Sequence, residues 1–161
     1  NSKRFVPKEQ HDNFLFTEPL WITSDLIITT PKNRFLCKGE KTLFGKRIGV
    51  YLGNGYAHFD DYFAQGTISD VRVYYFKQLS DLLSIGRIQA FIENKDTFFY
   101  SVKTHGLDPE TFHLCPNTIY SFELVMQLNL NHKELLKDLN QFIKVSRKNG
   151  MLKALRKIYI H

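Results

Sequence analysis

Gly53-Asn54-Gly55 is the stretch whose residue types and spacing could do chemistry. Two glycines let the backbone take positive φ, and the asparagine between them adds an amide donor. At the end of a strand and ahead of a helix, such a turn aims free N–H groups at a carboxylate or a phosphate. A full dinucleotide fingerprint needs a third glycine, and His58 stands in its place. Alone, the turn reads as a plain β–α connection. His58 and Asp61 share a helix face as a single pair with no third ligand near in sequence, so an acidic first helical turn is the plainer account. His105 and His113 flank a loop without nucleophile spacing, and no Gly-x-Ser-x-Gly, His-Glu-x-x-His or Walker loop occurs. The expectation is a chain that is not an enzyme, with no metal and no cofactor.

The elements around the turn follow from periodicity. Ile48, Val50 and Leu52 alternate with Arg47, Gly49 and Tyr51, which predicts a strand over 46–52. Tyr56, Phe59 and Phe63 make one apolar stripe, which predicts a helix over 56–65. Strands follow at 71–76 and 88–92, separated by a short helix through Leu79, Leu82 and Leu83 that stops at Gly86. Asp96 is the expected N-cap of a helix through Phe98, Phe99 and Val102. Residues 46–104 thus read β-α-β-α-β-α, the pattern of parallel strands with helices on both sheet faces. Before them, Phe14–Trp21 is an extended crossing, Asp25–Thr30 a strand and 34–45 a loop. After them come a strand over Thr118–Met126 and a helix capped by Asn131, with Leu135, Leu136, Leu139, Phe142 and Ile143 as its buried stripe. Gly150 ends that helix, and Leu152, Leu155, Ile158 and Tyr159 give a last short one.

Composition sets the bounds. At 161 residues and 43% hydrophobic, the chain can bury a real core in one compact domain or slightly more. It has no apolar run long enough to span a bilayer and no apolar signal-peptide core at Asn1–Pro7. Cys37 and Cys115 lack metal-ligand spacing; they are either one disulfide or two buried thiols. The whole net charge of +6 lies in residues 131–161, where eight Lys/Arg face Glu134 and Asp138. No nucleic-acid motif accompanies it, so a solvated helix face is the plainer reading and no nucleic-acid partner is expected.

Four segments together resemble a known family. Phe16-Thr17-Glu18-Pro19-Leu20 resembles the FS-x-PY signature of type II solute-binding proteins of the amino-acid (family 3) kind. Gly45–Val50 resembles the GK-x-VGV strand that opens their second lobe, with Gly53-Asn54-Gly55 as its glycine turn. Gly86–Ile92 resembles GR-x-DA-x-I, and His132–Asn140 with Lys148-Asn149-Gly150 resembles the closing pattern. The resemblance implies an α/β, doubly wound parallel-sheet lobe of a type II periplasmic binding protein-like fold, with crossing strands and C-terminal helices. It implies three parts: residues 1–22 as a remnant of lobe 1 and the first crossing, 23–104 as lobe 2, and 105–161 as the second crossing strand and C-terminal helices. The first part of lobe 1 is expected to be absent.

The family's contacts carry over one position at a time. Gln10 stands where the family has the arginine that pairs with the solute carboxylate. Asn54, between Gly53 and Gly55, replaces a small hydroxyl residue, and Tyr51 lines the cleft. Asn94, preceded by Glu93, replaces the aspartate that binds the solute ammonium. The plain alternative for each is solvation in a loop or at a strand end. The implied function is an extracytoplasmic (periplasmic) domain that recognises a small polar solute for ABC-type uptake or sensing, with an ABC permease or a sensor as partner. The alternatives are a sensory or protein-interaction module and, further off, a cyclic-acid dehydratase with Glu93 as general acid. Homo-oligomerisation through the C-terminal helices is expected, because their apolar stripe needs a counter-surface.

Overall fold

The structure is a computed structural model that describes residues 2, 3, 6, 8–56 and 59–160. The chain forms two compact units: residues 25–120, and residues 1–24 together with 121–161.

The larger unit is built on a five-stranded sheet. Its strands in chain order are β2 (Trp21–Thr29), β3 (Arg47–Tyr51), β4 (Ser69–Val73), β5 (Ala90–Asn94) and β6 (His113–Leu124), arranged in the order β4-β3-β5-β2-β6. The strand β3 pairs in parallel with both β4 and β5, as the β-α-β-α-β order requires, while β2 runs antiparallel to β5. The helices are α1 (Asp60–Ala64), α2 (Phe76–Ser84) and α3 (Lys95–Thr104).

Each strand sends alternate residues to opposite faces. Ile48, Val50, Ala90 and Ile92 pack under α1 and the 3-10 segments Pro31–Lys38 and Glu40–Leu43. Phe91, Leu26 and Ile28 pack against α2 and α3, where Phe76, Phe91, Phe98 and Phe112 form a cluster of rings. Both faces are covered, so the lobe is doubly wound. Cys37 and Cys115 form a disulfide that fastens the first 3-10 segment to β6.

Gly49 is a steric requirement. A Cβ there would lie 2.6 Å from Leu79 Cδ2, 2.7 Å from Ile88 Cδ1 and 3.1 Å from Phe91 Cβ. All three neighbours are buried, so none can swing into solvent. The missing side chain lets α2 sit directly on the central strand.

Three local expectations are corrected. The helix after the glycine turn starts at Asp60, not at Tyr56, and is five residues long. The Asp60 carboxylate accepts the Tyr56 N–H at 2.9 Å, and Tyr56 is buried in the core with Phe59 and Phe63. The cap of α3 is Asn94 rather than Asp96: its Oδ1 accepts from the N–H groups of Asp96 and Thr97. Asn131 does not cap a long helix; Asn129 caps the 3-10 turn Leu130–His132, and the next helix begins at Leu135. His58 lies outside the described residues, and with it the proposed pair with Asp61.

The smaller unit holds an antiparallel ribbon of β1 (Phe14–Phe16) and β7 (Gln127–Asn129), with α4 (Leu135–Lys148) and α5 (Met151–Ile160). The Glu18 N–H donates to Asn140 Oδ1 at 2.7 Å, and Arg147 donates to the Pro19 carbonyl, which ties α4 to the segment after β1. The expected buried stripe of α4 is only partly buried. Ile143 and, on α5, Leu152 are buried, but Leu135 and Phe142 are exposed, Phe142 at 53%. A ribbon of two three-residue strands and one partner helix leave the flank of α4 that carries Leu135 and Phe142 open.

Gly49→Ala should cost about 1–3 kcal/mol, the usual penalty for overpacking a filled core. Urea denaturation checks this; an unchanged midpoint would mean that α2 is not seated on β3 as described.

Candidate functional site

The carboxyl ends of parallel strands are where open α/β sheets present ligand-binding groups, at points where adjacent strands send their loops to opposite faces. Here that point lies between β3 and β5. The chain leaves β3 toward α1 on one face and leaves β5 toward α3 on the other.

The pairing register fixes what meets there. Gly49 lies level with Phe91, so two residues on, Tyr51 and Glu93 lie level and point to the same face. The Tyr51 hydroxyl donates to Glu93 Oε2, and the Asn94 N–H donates to Glu93 Oε1 at 2.8 Å. Glu93 is 5% exposed. The solvated strand-end reading of Glu93 is therefore wrong: it is a buried carboxyl whose two oxygens both have donors.

Two residues that the sequence reading passed over complete the cluster. Asp25 on β2 pairs in register with Asn94, and its Oδ1 accepts from Asn94 Nδ2 at 3.1 Å. Tyr56 is buried, and its hydroxyl accepts the Tyr51 N–H at 2.7 Å. An aspartate inside the apolar run Asp25–Thr29 was the signal for the first. Tyr56 carried no such signal, because it also fitted an apolar helix stripe.

The other predicted residues fall as follows. Gly53 takes φ 86°, so the turn does need a glycine there. Gly53, Asn54 and Gly55 are exposed at the end of β3. The helix α1 starts at Asp60, whose carboxylate accepts the N–H of Tyr56, the residue that follows this turn. Asn94 is engaged by the fold at both ends of its amide, toward α3 and toward Asp25. Gln10 lies in the smaller unit, exposed in the 3-10 segment Lys8–Asn13.

The electrostatics follow from this packing. Burial pushes Glu93 up to about 7; the hydrogen bonds from Tyr51 and Asn94 pull the other way, and the Asp25 charge adds to the rise. Burial, the Glu93 charge and the hydrogen bond to Glu93 hold the Tyr51 hydroxyl far above its ordinary range, so it stays a donor. Burial pushes Tyr56 up to about 12, opposed by the Tyr51 N–H, raised by the Glu93 charge, and eased by an Asn54 side-chain hydrogen bond. Among the described residues no Lys or Arg pairs with Glu93. The site is acceptor-rich and negative, suited to a donor or a cation.

These shifts give a stability signature. Glu93 is raised from 4.5 to about 7 in the fold, so it contributes full stability below pH 4.5 and loses it as pH climbs toward 7. Relative to the native chain, Glu93→Gln should therefore be more stabilising at pH 8 than at pH 5 by about 2–3 kcal/mol. Urea denaturation at the two pH values checks it; equal effects at both would mean an ordinary Glu93.

No protein family matches the chain by sequence, and no curated protein does. Solved structures do match. A mutant of ArgBP from T. maritima aligns at 18% identity and TM-score 0.77 over 96% of this chain and 65% of that one. The GluR0 ligand-binding core from Nostoc punctiforme in complex with L-glutamate aligns at 17% identity and TM-score 0.75, over 96% and 68%. The amino-acid ABC transporter substrate-binding protein AbpA from Streptococcus pneumoniae, bound to L-arginine, aligns at 16% identity and TM-score 0.76, over 97% and 66%. The chain spans about two thirds of the length of these proteins. At this level of identity the likeness is one of fold, and the fold is that of the type II periplasmic binding proteins.

Proposed function

We propose that the chain is a non-catalytic solute-binding domain that recognises a small polar solute, for ABC-type uptake or for sensing. The observation that carries this reading is the convergence of Tyr51, Glu93, Asn94 and the Gly53-Asn54-Gly55 turn at the carboxyl edge of β3 and β5. A carboxyl buried near a strand end, with no Lys or Arg paired to it among the described residues, does not favour the fold at neutral pH. Its placement makes sense if a solute supplies the positive charge.

An extracytoplasmic location fits the Cys37–Cys115 disulfide, since such bonds persist in oxidising compartments. Among the structural neighbours, the GluR0 core is in complex with L-glutamate and AbpA is bound to L-arginine. For this chain we expect common α-amino acids to bind poorly. Gln10, at the position that the motif gives to a carboxylate-pairing arginine, offers an amide in place of the bidentate fork. Neutral hydrogen bonds contribute about 0.5–1.5 kcal/mol against about 1.5–3 for charge-assisted ones, roughly one order of magnitude in affinity. At the other end Asn94 carries no charge, and Glu93 takes over the acidic role.

The exposed apolar flank of α4 and α5 supports a second reading, in which this face serves association. We propose a second copy of the chain as its partner. A concentration-independent monomer in sedimentation, up to high concentration, would contradict that.

Calorimetry against amino acids, opines and small carboxylates tests the solute reading. Whatever solute binds should lose roughly tenfold in affinity on Asn54→Ala and on Glu93→Gln. Tight binding of a common amino acid, indifferent to both substitutions, would place the site elsewhere.

A further inference from the structure

The carboxyl edge that carries Glu93 also carries two exposed tyrosines. Tyr74 and Tyr75 follow the last residue of β4 and are 69% and 70% exposed. Single exposed apolar residues are ordinary. These are two consecutive rings, with centroids 6.2 Å apart and planes inclined at 44°. Their backbone is held in place, because both N–H groups donate to Gln78 Oε1 on the first turn of α2, at 3.0 and 3.1 Å. Leu52, also exposed, joins them: its N–H donates to the Val73 carbonyl at 2.8 Å.

The sheet order sets their relation to the buried acid. Val73 lies level with Tyr51 across β3–β4, and Tyr51 holds Glu93 across β3–β5. Two strand spacings of about 4.8 Å separate the rings' strand from the Glu93 strand. That span is on the scale of one small amphipathic molecule. Tyrosine presents a large apolar face at a low entropy cost, and an aromatic contact adds to the area it buries.

We propose that Tyr74 and Tyr75, with Leu52 beside them, form the platform for the apolar body of the solute, which makes that solute an amphipathic amine with its cationic head toward Glu93. The proposal rests on the solute-binding reading above and narrows it. Charge complementarity selects the head, since among the described residues no Lys or Arg pairs with Glu93. The exposed ring pair selects the body.

Calorimetry of the full chain with 2-phenylethylamine and with ethylamine tests it, since the two probes share a head and differ in the body. The expected result is 2-phenylethylamine binding at least about tenfold tighter than ethylamine. Tyr74→Ala with Tyr75→Ala should erase that margin, and Tyr74→Phe with Tyr75→Phe should keep it. Both positions are exposed, so these variants should retain the native melting temperature. Equal affinity for the two amines, or a margin that survives the alanine pair, overturns the platform and leaves the amine site standing. If neither amine binds while a carboxylate solute binds in an Asn54- and Glu93-dependent way, the platform falls and the solute-binding reading stands. If no solute in either panel binds, both fall.

Discussion

The fold turns on one carboxyl group held out of water. Glu93 ends a strand whose preceding residues, Ala90, Phe91 and Ile92, are all buried core, and it is itself buried. Leaving such a group unsatisfied would be costly. Its two oxygens are met by Tyr51 on the parallel neighbour and by the Asn94 N–H. The Tyr51 bond needs the β3–β5 register to be correct, because a one-residue slip would send Tyr51 to the opposite face. Asn94 adds a third constraint. Its side chain starts α3 and reaches Asp25 on β2, so the strand end, the helix start and the antiparallel neighbour are fixed together.

That polar knot is affordable only because the sheet beneath it is covered on both faces. One face is closed by α1 and the 3-10 segments, with a disulfide holding the first of these to β6. The other is closed by α2 and α3 around a phenylalanine cluster, with α2 seated on the bare backbone of Gly49. The apolar layers set the register, and the register places the polar groups. The polar cluster at the carboxyl edge is thus a by-product of packing at the centre.

Much of this was legible in the sequence. Alternation in Arg47–Leu52 and the β-α-β-α-β order were enough to predict the parallel strands, and four ordered motifs were enough to predict the lobe. What the sequence hid were competitions between side chains. Tyr56 suits an apolar stripe by spacing and is buried with Phe59 and Phe63, yet its N–H goes to Asp60 and its hydroxyl to Tyr51, partners that spacing does not announce. Asp96 is a good cap by type, but Asn94, two residues earlier, accepts from the Asp96 and Thr97 N–H groups, so α3 starts at Lys95. Whether Glu93 was solvated or buried depended on Tyr51, 42 residues away in sequence. The pairing of Cys37 with Cys115 likewise depended on where β6 falls in the sheet.

The central claim is that Glu93 is a buried acid that titrates near neutrality and is discharged by a cationic solute. Carbon-13 NMR of the Glu93 side-chain carboxyl across pH 4 to 9, with and without a bound amine, reads this directly. The account predicts a midpoint at about 7 in the free chain, falling when the amine is present. A midpoint in the ordinary glutamate range in the free chain, unmoved by any amine, would contradict it.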